Sequence, residues 1–374
     1  MSEGGDDYLR PGLAEPVLRN TFNIDNNAEL SEVERTVSRA AAVRLDHDPV
    51  PATFDRDHLT ALHHALFSKV YPWAGHMRDE KFQLPDGAVI NPMRSLSKGD
   101  KSFAPTYEVG GMIHDLNQTI EQAGRYQNLP PAQFSERAAE VLSELNHIHP
   151  FREGNGRTQR AFLSDLGREA GHEIDWTGID RLRNLEASKA TDVGHLQPMR
   201  DMMRDAIQPE RQTLLQEAGR ALANNPDLGW LNMLDGMGEL KQQTLLPGQT
   251  VSGSLYAVSG TAALIVDGGN TLHVARASDL PDGVAPPSEA EQAASVTITG
   301  SESHQDRVWA IDLEQQREAS SHPQSREEWL ESSRALIERV PDGPKKDEML
   351  AKLDEVEASY EVGPTQEDGF DLER

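Results

Sequence analysis

The chain has 374 residues, no cysteine, and 36 basic against 62 acidic side chains, a formal charge of −26. That length allows two or three domains with a sizeable core, and the missing thiols exclude a disulfide framework and cysteine nucleophiles. So large a negative charge disfavours nonspecific binding to nucleic acid or to an anionic membrane surface, and no apolar run is long enough to span a bilayer.

In chain order, Tyr8-Leu9-Arg10-Pro11-Gly12 and Val17-Leu18-Arg19-Asn20 form a loop-rich lead-in to a helix from Glu29 to about Asp46. His63 and His64 follow on a helix beside Leu62 and Leu66, where they read as structural. Tyr71 to Arg78 reads Y-P-W-A-G-H-M-R, and Asp79 to Arg94 reads as a hairpin around the turn signal Pro85-Asp86-Gly87. Ser97-Lys98-Gly99, followed by Phe103-Ala104-Pro105, is by its own composition an ordinary polar loop. Pro130 and Pro131 start a helix whose apolar residues Phe134, Ala138, Val141, Leu142, Leu145 and Ile148 recur at helical spacing. A second helix carries Phe162, Leu163 and Leu166 and ends at Gly171.

Between these two helices lies H-P-F-R-E-G-N-G-R-T-Q-R, His149 to Arg160. His149 can take a proton near neutral pH, and Glu153 can hold a hard cation such as Mg²⁺ through oxygen. Gly154-Asn155-Gly156 can turn successive N–H groups toward an anion at a helix N-terminus, where the dipole also favours negative charge. Arg157 and Arg160, three apart on the helix, can grip further phosphate oxygens. Turn chemistry alone explains the glycines but not the His, the Glu and the two Arg around them. A metal pair at His147 and His149 has no third ligand at a recognisable spacing, and the G-K-[ST] of a Walker loop is missing.

The dozen matches without mismatch the signature H-x-F-x-[DE]-G-N-G-R-x-x-R and so resembles the Fic (filamentation induced by cyclic AMP) family. The resemblance implies a mainly α domain with a β-hairpin flap, and transfer of AMP from ATP to a Ser, Thr or Tyr hydroxyl of a target protein. It implies His149 as general base, Phe151 as the core residue anchoring the loop, and Glu153 as the Mg²⁺ ligand. Gly154, Asn155 and Gly156 then form the nest for the α- and β-phosphates, Arg157 a phosphate clamp, and Arg160 the contact to the γ-phosphate. Trp73-Ala74-Gly75-His76-Met77-Arg78 resembles the family's W-A-G-x-x-R segment, and Ser97, Lys98 and Gly99 resemble the flap that pairs with an extended stretch of the target. The Asp79–Arg94 stretch is longer than the family pattern leads one to expect.

In self-inhibited relatives a [ST]-x-x-x-E-[GN] helix supplies a glutamate to the arginine matching Arg160. None precedes the signature here, and Thr213 to Glu217 has the spacing but is followed by Ala218. A separate small antitoxin chain is therefore the expected source of such a glutamate. Family targets are type II topoisomerases and small GTPases. The location implied is cytoplasmic, or outside the cell through a bacterial secretion system that needs no cleaved signal peptide. The alternatives are a nucleotide-binding pseudoenzyme or interaction module, or transfer of UMP or another phosphate-containing group.

The catalytic domain is expected over 1–209 and a helical connector over 210–245. A small all-β barrel, OB-like, follows over 246–318 and an acidic helical tail over 319–374. Strands are expected at Gln249–Val258, Ala262–Val266, Thr271–Ala275, Val296–Thr299 and Val308–Ile311. The barrel lacks the basic groove and stacking aromatics of a nucleic-acid site and reads as a scaffold or protein-contact element. Met349, Leu350, Leu353, Val356 and Tyr360 mark one apolar stripe in the tail.

Overall fold

The computed structural model describes residues 6–98, 101–237, 239–284 and 294–321, with single residues at 334, 346 and 350. Chain contacts divide it into Met1–Ala310 and Ile311–Arg374. Apart from Leu350, which is helical, the tail's apolar stripe lies outside the described residues, as does Gly99.

The first unit opens with seven helices: α1 Asn27–His47, α2 Arg56–Phe67, α3 Val109–Gln122, α4 Pro131–Ile148, α5 Asn155–Ala170, α6 Arg181–Asp192 and α7 Gln197–Ile207. Their starts follow capping chemistry. Asn26 accepts the Glu29 N–H, Asp55 the His58 N–H and Asp180 the Arg183 N–H, each through the side chain, and Pro131 opens α4. Gly171 ends α5 in the left-handed region at φ 84°, as expected. The apolar faces of α4 and α5, including Phe134, Leu142, Leu145, Ile148, Phe162 and Leu166, are buried.

Between α2 and α3 the chain forms two antiparallel hairpins, β1 Phe82–Gln83 with β2 Val89–Ile90, and β3 Ser97–Lys98 with β4 Lys101–Ser102. The Asp79–Arg94 stretch thus makes a hairpin of its own. It is packed down: Leu84 and Ile90 are buried, and the Phe82 ring stacks on His76 at 3.9 Å.

After α7 come α8 Pro209–Asn224 and α9 Gly229–Met237, then five strands: β5 Lys241–Thr244, β6 Thr250–Ser259, β7 Ala262–Val266, β8 Thr271–Arg276 and β9 Ala294–Thr299. They form one sheet in the order β5-β8-β7-β6-β9, antiparallel except for the parallel β5–β8 pair. One face packs on α8 through Leu264, Val266, Leu272 and Val274. Alternate residues Leu255, Ala263, Ile265, Ala275, Val296 and Ile298 make a second cluster, on the other face of the sheet.

Four of the five expected strands are present. The fifth is corrected: Val308–Ile311 is helical, inside α10 His304–Ser321. Its cause is a reciprocal cap, in which Ser303 Oγ accepts the Asp306 N–H at 3.0 Å and Asp306 accepts the Ser303 N–H at 3.1 Å. The fifth strand is instead β5, within the stretch expected to be connector. Its sequence, K-Q-Q-T, has little strand propensity, and partners outside the sheet hold it. Asp180 accepts the Gln242 N–H at 2.6 Å and Asp205 the Thr244 N–H at 3.1 Å. Glu217, whose spacing matched the self-inhibitory pattern, accepts the Thr261 N–H at 2.7 Å and so braces the β6–β7 turn.

The joint between helices and sheet is a buried charge network. Arg211, 1% exposed, reaches Asp205, Gln208, Thr244 and Asp306. Arg183 pairs with Asp205 at 2.7 Å, and Arg204 and Arg276 each reach Asp306 at 2.6 Å. Burial raises the Asp306 pKa, but the Ser303 N–H, Arg211 and Arg276 outweigh it and hold the carboxyl well below the usual range. Asp306 therefore stabilises the fold above the ordinary aspartate pKa, and that contribution is lost as pH falls toward the folded value. Asp306→Asn should cost about 3–5 kcal/mol at pH 7, because it strands buried guanidiniums. Urea unfolding should show this gap, and the gap should narrow below about pH 4.

Candidate active site

Helix α4 delivers His149, which caps it in the left-handed region at φ 47° and ψ 63°. A side chain with a Cβ is disfavoured there, so the surroundings must hold it. Arg78, completely buried, does most of the holding. Its Nε donates to the His149 carbonyl at 2.9 Å and Nη2 to the Ile148 and Ala104 carbonyls at 3.0 and 2.5 Å; Nη1 donates to the Thr106 hydroxyl at 2.7 Å. Its backbone N–H donates to the Pro150 carbonyl at 2.8 Å. Burial lowers the guanidinium's pKa, while its place at the carbonyl end of α4 favours the cation. The imidazole itself stacks on Phe103 at 3.7 Å, just past the second hairpin.

The turn after His149 is closed by Asn155. Its Oδ1 accepts the Phe151 N–H at 2.9 Å and its Nδ2 donates to the Phe151 carbonyl at 2.8 Å. The Asn155 side chain is thus used internally, and only its backbone faces the task expected of the nest. Phe151 is buried, as expected, against the His63 ring at 4.0 Å and an interplanar angle of 7°. Gly154 is required by the fold, since its φ is 86° and a Cβ there would lie 2.6 Å from the Phe67 ring. At Gly156 a Cβ would meet nothing within 4 Å, so open space stands over the first turn of α5. No side chain caps that turn.

Glu153 Oε1 accepts the Gly154 N–H at 3.0 Å, and its second carboxylate oxygen makes no hydrogen bond among the described residues. Arg160 makes no ion pair among the described residues, and burial lowers its pKa. Arg157 is engaged: Nη2 pairs with Glu34 of α1, Nη1 donates to Ser38 Oγ at 2.6 Å, and the guanidinium lies 4.7 Å over the Phe67 ring. Burial and then the Arg160 charge bring the Arg157 pKa down to about 10, so it stays a cation at neutral pH. Ser97 and Lys98 pair with Ser102 and Lys101 in the second hairpin, and Ser97 is exposed. No group of three or more His, Asp or Glu able to hold a metal occurs among the described residues.

His63, read from the sequence as structural, has a structural role, but its partners were not foreseen. Its Nδ1 accepts the Gly75 N–H at 2.8 Å, which puts the proton on Nε2, and Nε2 donates to the Glu153 carbonyl at 3.0 Å. The W-A-G segment and the signature loop are thus tied through one neutral imidazole. The available signal was a histidine on the apolar face of α2, between Leu59, Leu62 and Leu66, where a ring needs two hydrogen-bond partners.

Burial pushes His63 down to about 3. An unfolded imidazole takes a proton near 6.5, so falling pH favours the unfolded chain from there down to the folded value. His63→Phe keeps the stack on Phe151 and strands a buried N–H and a carbonyl, which should cost about 1–3 kcal/mol near pH 8. Thermal unfolding across pH 4 to 8 should also show a shallower acid loss in the variant than in the wild type.

A model of the Fic/DOC family matches residues 53–166. A protein adenylyltransferase of Bartonella henselae is 34% identical over 220 residues, 58% of this chain and 40% of that protein. A probable protein adenylyltransferase Fic of Salmonella typhimurium is 31% identical over 215 residues, 57% of this chain and 98% of that protein. Among solved structures, the type IV secretion system effector protein BepA aligns with a TM-score of 0.71 at 26% identity, over 79% of this chain and 97% of that one. BepC of Bartonella tribocorum, solved with bound AMPPNP, aligns with a TM-score of 0.52 at 34% identity, over 55% and 97%. The chain spans 40% of the length of the Bartonella henselae protein and nearly all of the Salmonella one. The chain belongs to the Fic/DOC family.

Proposed function

We propose that the chain is a protein adenylyltransferase that moves AMP from ATP to a Ser, Thr or Tyr hydroxyl of a target protein. The observation that carries this reading is the first turn of α5: no side chain caps it, it stands under open space at Gly156, and Arg160 beside it has no ion pair among the described residues. Such a turn binds anions through its N–H groups and its dipole. Relatives carry the name adenylyltransferase, and BepC was solved with an ATP analogue.

On this reading the backbone of Gly154, Asn155 and Gly156 receives the α- and β-phosphates. Arg160 takes the γ-phosphate, and Arg157 adds those N–H groups that Glu34 and Ser38 leave unused. His149 takes the proton of the target hydroxyl as its oxygen bonds to the α-phosphorus, the bond to the β-phosphate oxygen breaks, and pyrophosphate leaves. Arg78 and Phe103 keep His149 at that position. Glu153 suits Mg²⁺, which commonly takes one carboxylate together with substrate phosphates; the ion would neutralise phosphate charge when bound. Ser97, Lys98 and Gly99 would pair with an extended stretch of the target.

The target stays within the family's classes, a type II topoisomerase or a small GTPase, and a separate antitoxin chain would direct its glutamate at Arg160. The match to BepA, 79% of this chain, is longer than the helical domain, and on that likeness we read the protein as exported by a secretion system. A translocation reporter fused to the chain should reach recipient cells only when the bacterium carries that machinery.

Incubation with α-³²P-ATP, Mg²⁺ and cell lysate should label a protein band, and His149→Ala should cut labelling by about 10²–10⁴-fold while ATP binding persists. Arg160→Ala should weaken ATP binding about tenfold or more. ATP binding with no transfer of label from any of the four nucleoside triphosphates would mean a pseudoenzyme.

A further inference from the structure

Glu34 lies on α1, more than a hundred residues before the signature, and is 8% exposed. One carboxylate oxygen pairs with Arg157 and the other accepts the Tyr71 hydroxyl. One turn further along α1, the buried Ser38 hydroxyl accepts from the same guanidinium at 2.6 Å. The Phe67 ring, fully buried on α2, backs it at 4.7 Å. Three side chains from two helices therefore converge on one arginine.

We propose that Glu34 is a positioning residue, which sets the Arg157 guanidinium for the nucleotide phosphates; this rests on the adenylyl-transfer reading. Arg157 and Arg160 are three residues apart at the positive end of α5, and burial and then the Arg160 charge both disfavour the Arg157 cation. Without a counter-charge, repulsion and the long side chain's freedom would carry Arg157 away from an empty site. Glu34 supplies that charge from behind. The two bonds described use two of the five N–H donors of the guanidinium, and the other three stay available for phosphate oxygens.

The opposite role, a glutamate that blocks the arginine until a ligand displaces it, fits the burial poorly. Displacement would leave the Glu34 carboxylate nearly out of water with a single hydroxyl for company, a costly arrangement. The pair is built to persist while the nucleotide comes and goes.

The test is a double-mutant cycle on ATP binding and on transfer, with the full chain. Glu34→Gln keeps the shape and an oxygen for Tyr71, and should weaken ATP binding about tenfold, raising the KM for ATP more than it lowers kcat. Arg157→Ala alone should do at least as much. Glu34→Gln placed on Arg157→Ala should add less than twofold, because Glu34 acts through that arginine. Ser38→Ala, a milder change on the same guanidinium, should raise the KM for ATP a few-fold. Equal effects of Glu34→Gln in both backgrounds would make Glu34 merely structural and overturn the proposal. Unchanged ATP binding, or faster transfer, in Glu34→Gln would also overturn it, the latter in favour of a blocking role. A wild-type chain that neither binds ATP nor transfers label would instead sink the adenylyl-transfer reading.

Discussion

A single buried cation organises the catalytic half. Among the described residues no carboxylate hydrogen-bonds Arg78, although the Asp79 charge nearby favours the cation; its donors are spent on two carbonyls at the end of α4, one carbonyl of the segment after the second hairpin, and a threonine hydroxyl. A buried guanidinium is tolerable only when its donors are met, and here neutral acceptors and the carbonyl end of a helix meet them. The acceptors are the groups whose relative placement matters most, since they include the carbonyl of the left-handed His149. Strain at His149, closure of the hairpin region and the exit of the chain into the signature loop are therefore one problem with one solution.

From that point the loop is braced twice more. Asn155 closes the turn on Phe151, and His63 holds the Glu153 carbonyl while resting on the Phe151 ring. These contacts fix the backbone of the signature loop. Gly154 and Gly156 show a division: the first is filled around by the fold, the second is left open. A motif that looks uniform in one-letter code is thus half framework and half working surface.

What could be read beforehand was whatever depends on local pattern. The α4 and α5 periodicities, the Gly171 stop, the Pro85-Asp86-Gly87 hairpin and four strands all follow from spacing and turn chemistry. What could not be read depends on partners distant in sequence. Lys241–Thr244 becomes a strand because two distant aspartates receive its amides. Val308–Ile311 is the exception, a local Ser303-x-x-Asp306 cap that makes it helix and that the β-branched run concealed. His63 was visible as a helix residue, but its bonds to Gly75 and Glu153 were not. Likewise nothing in the α1 sequence announces that Glu34 faces Arg157.

The Asp205 carboxylate, near the end of α7, belongs to the buried charge network, yet two of its partners, Arg211 and Thr244, come later in the chain. A ribosome releases the N-terminus first. When the chain has been made up to Asp205, Arg183 and Arg204 are present, whereas Arg211 and the amide of Thr244 are still to be translated. Helix α7 has its main packing partners, α4 and α6, already made, but Asp205 on it gains Arg211 and Thr244 only after α8 and β5 are synthesised. The order of synthesis thus delays completion of this joint, and a nascent chain halted after α7 would carry Asp205 with Arg183 but without its later partners.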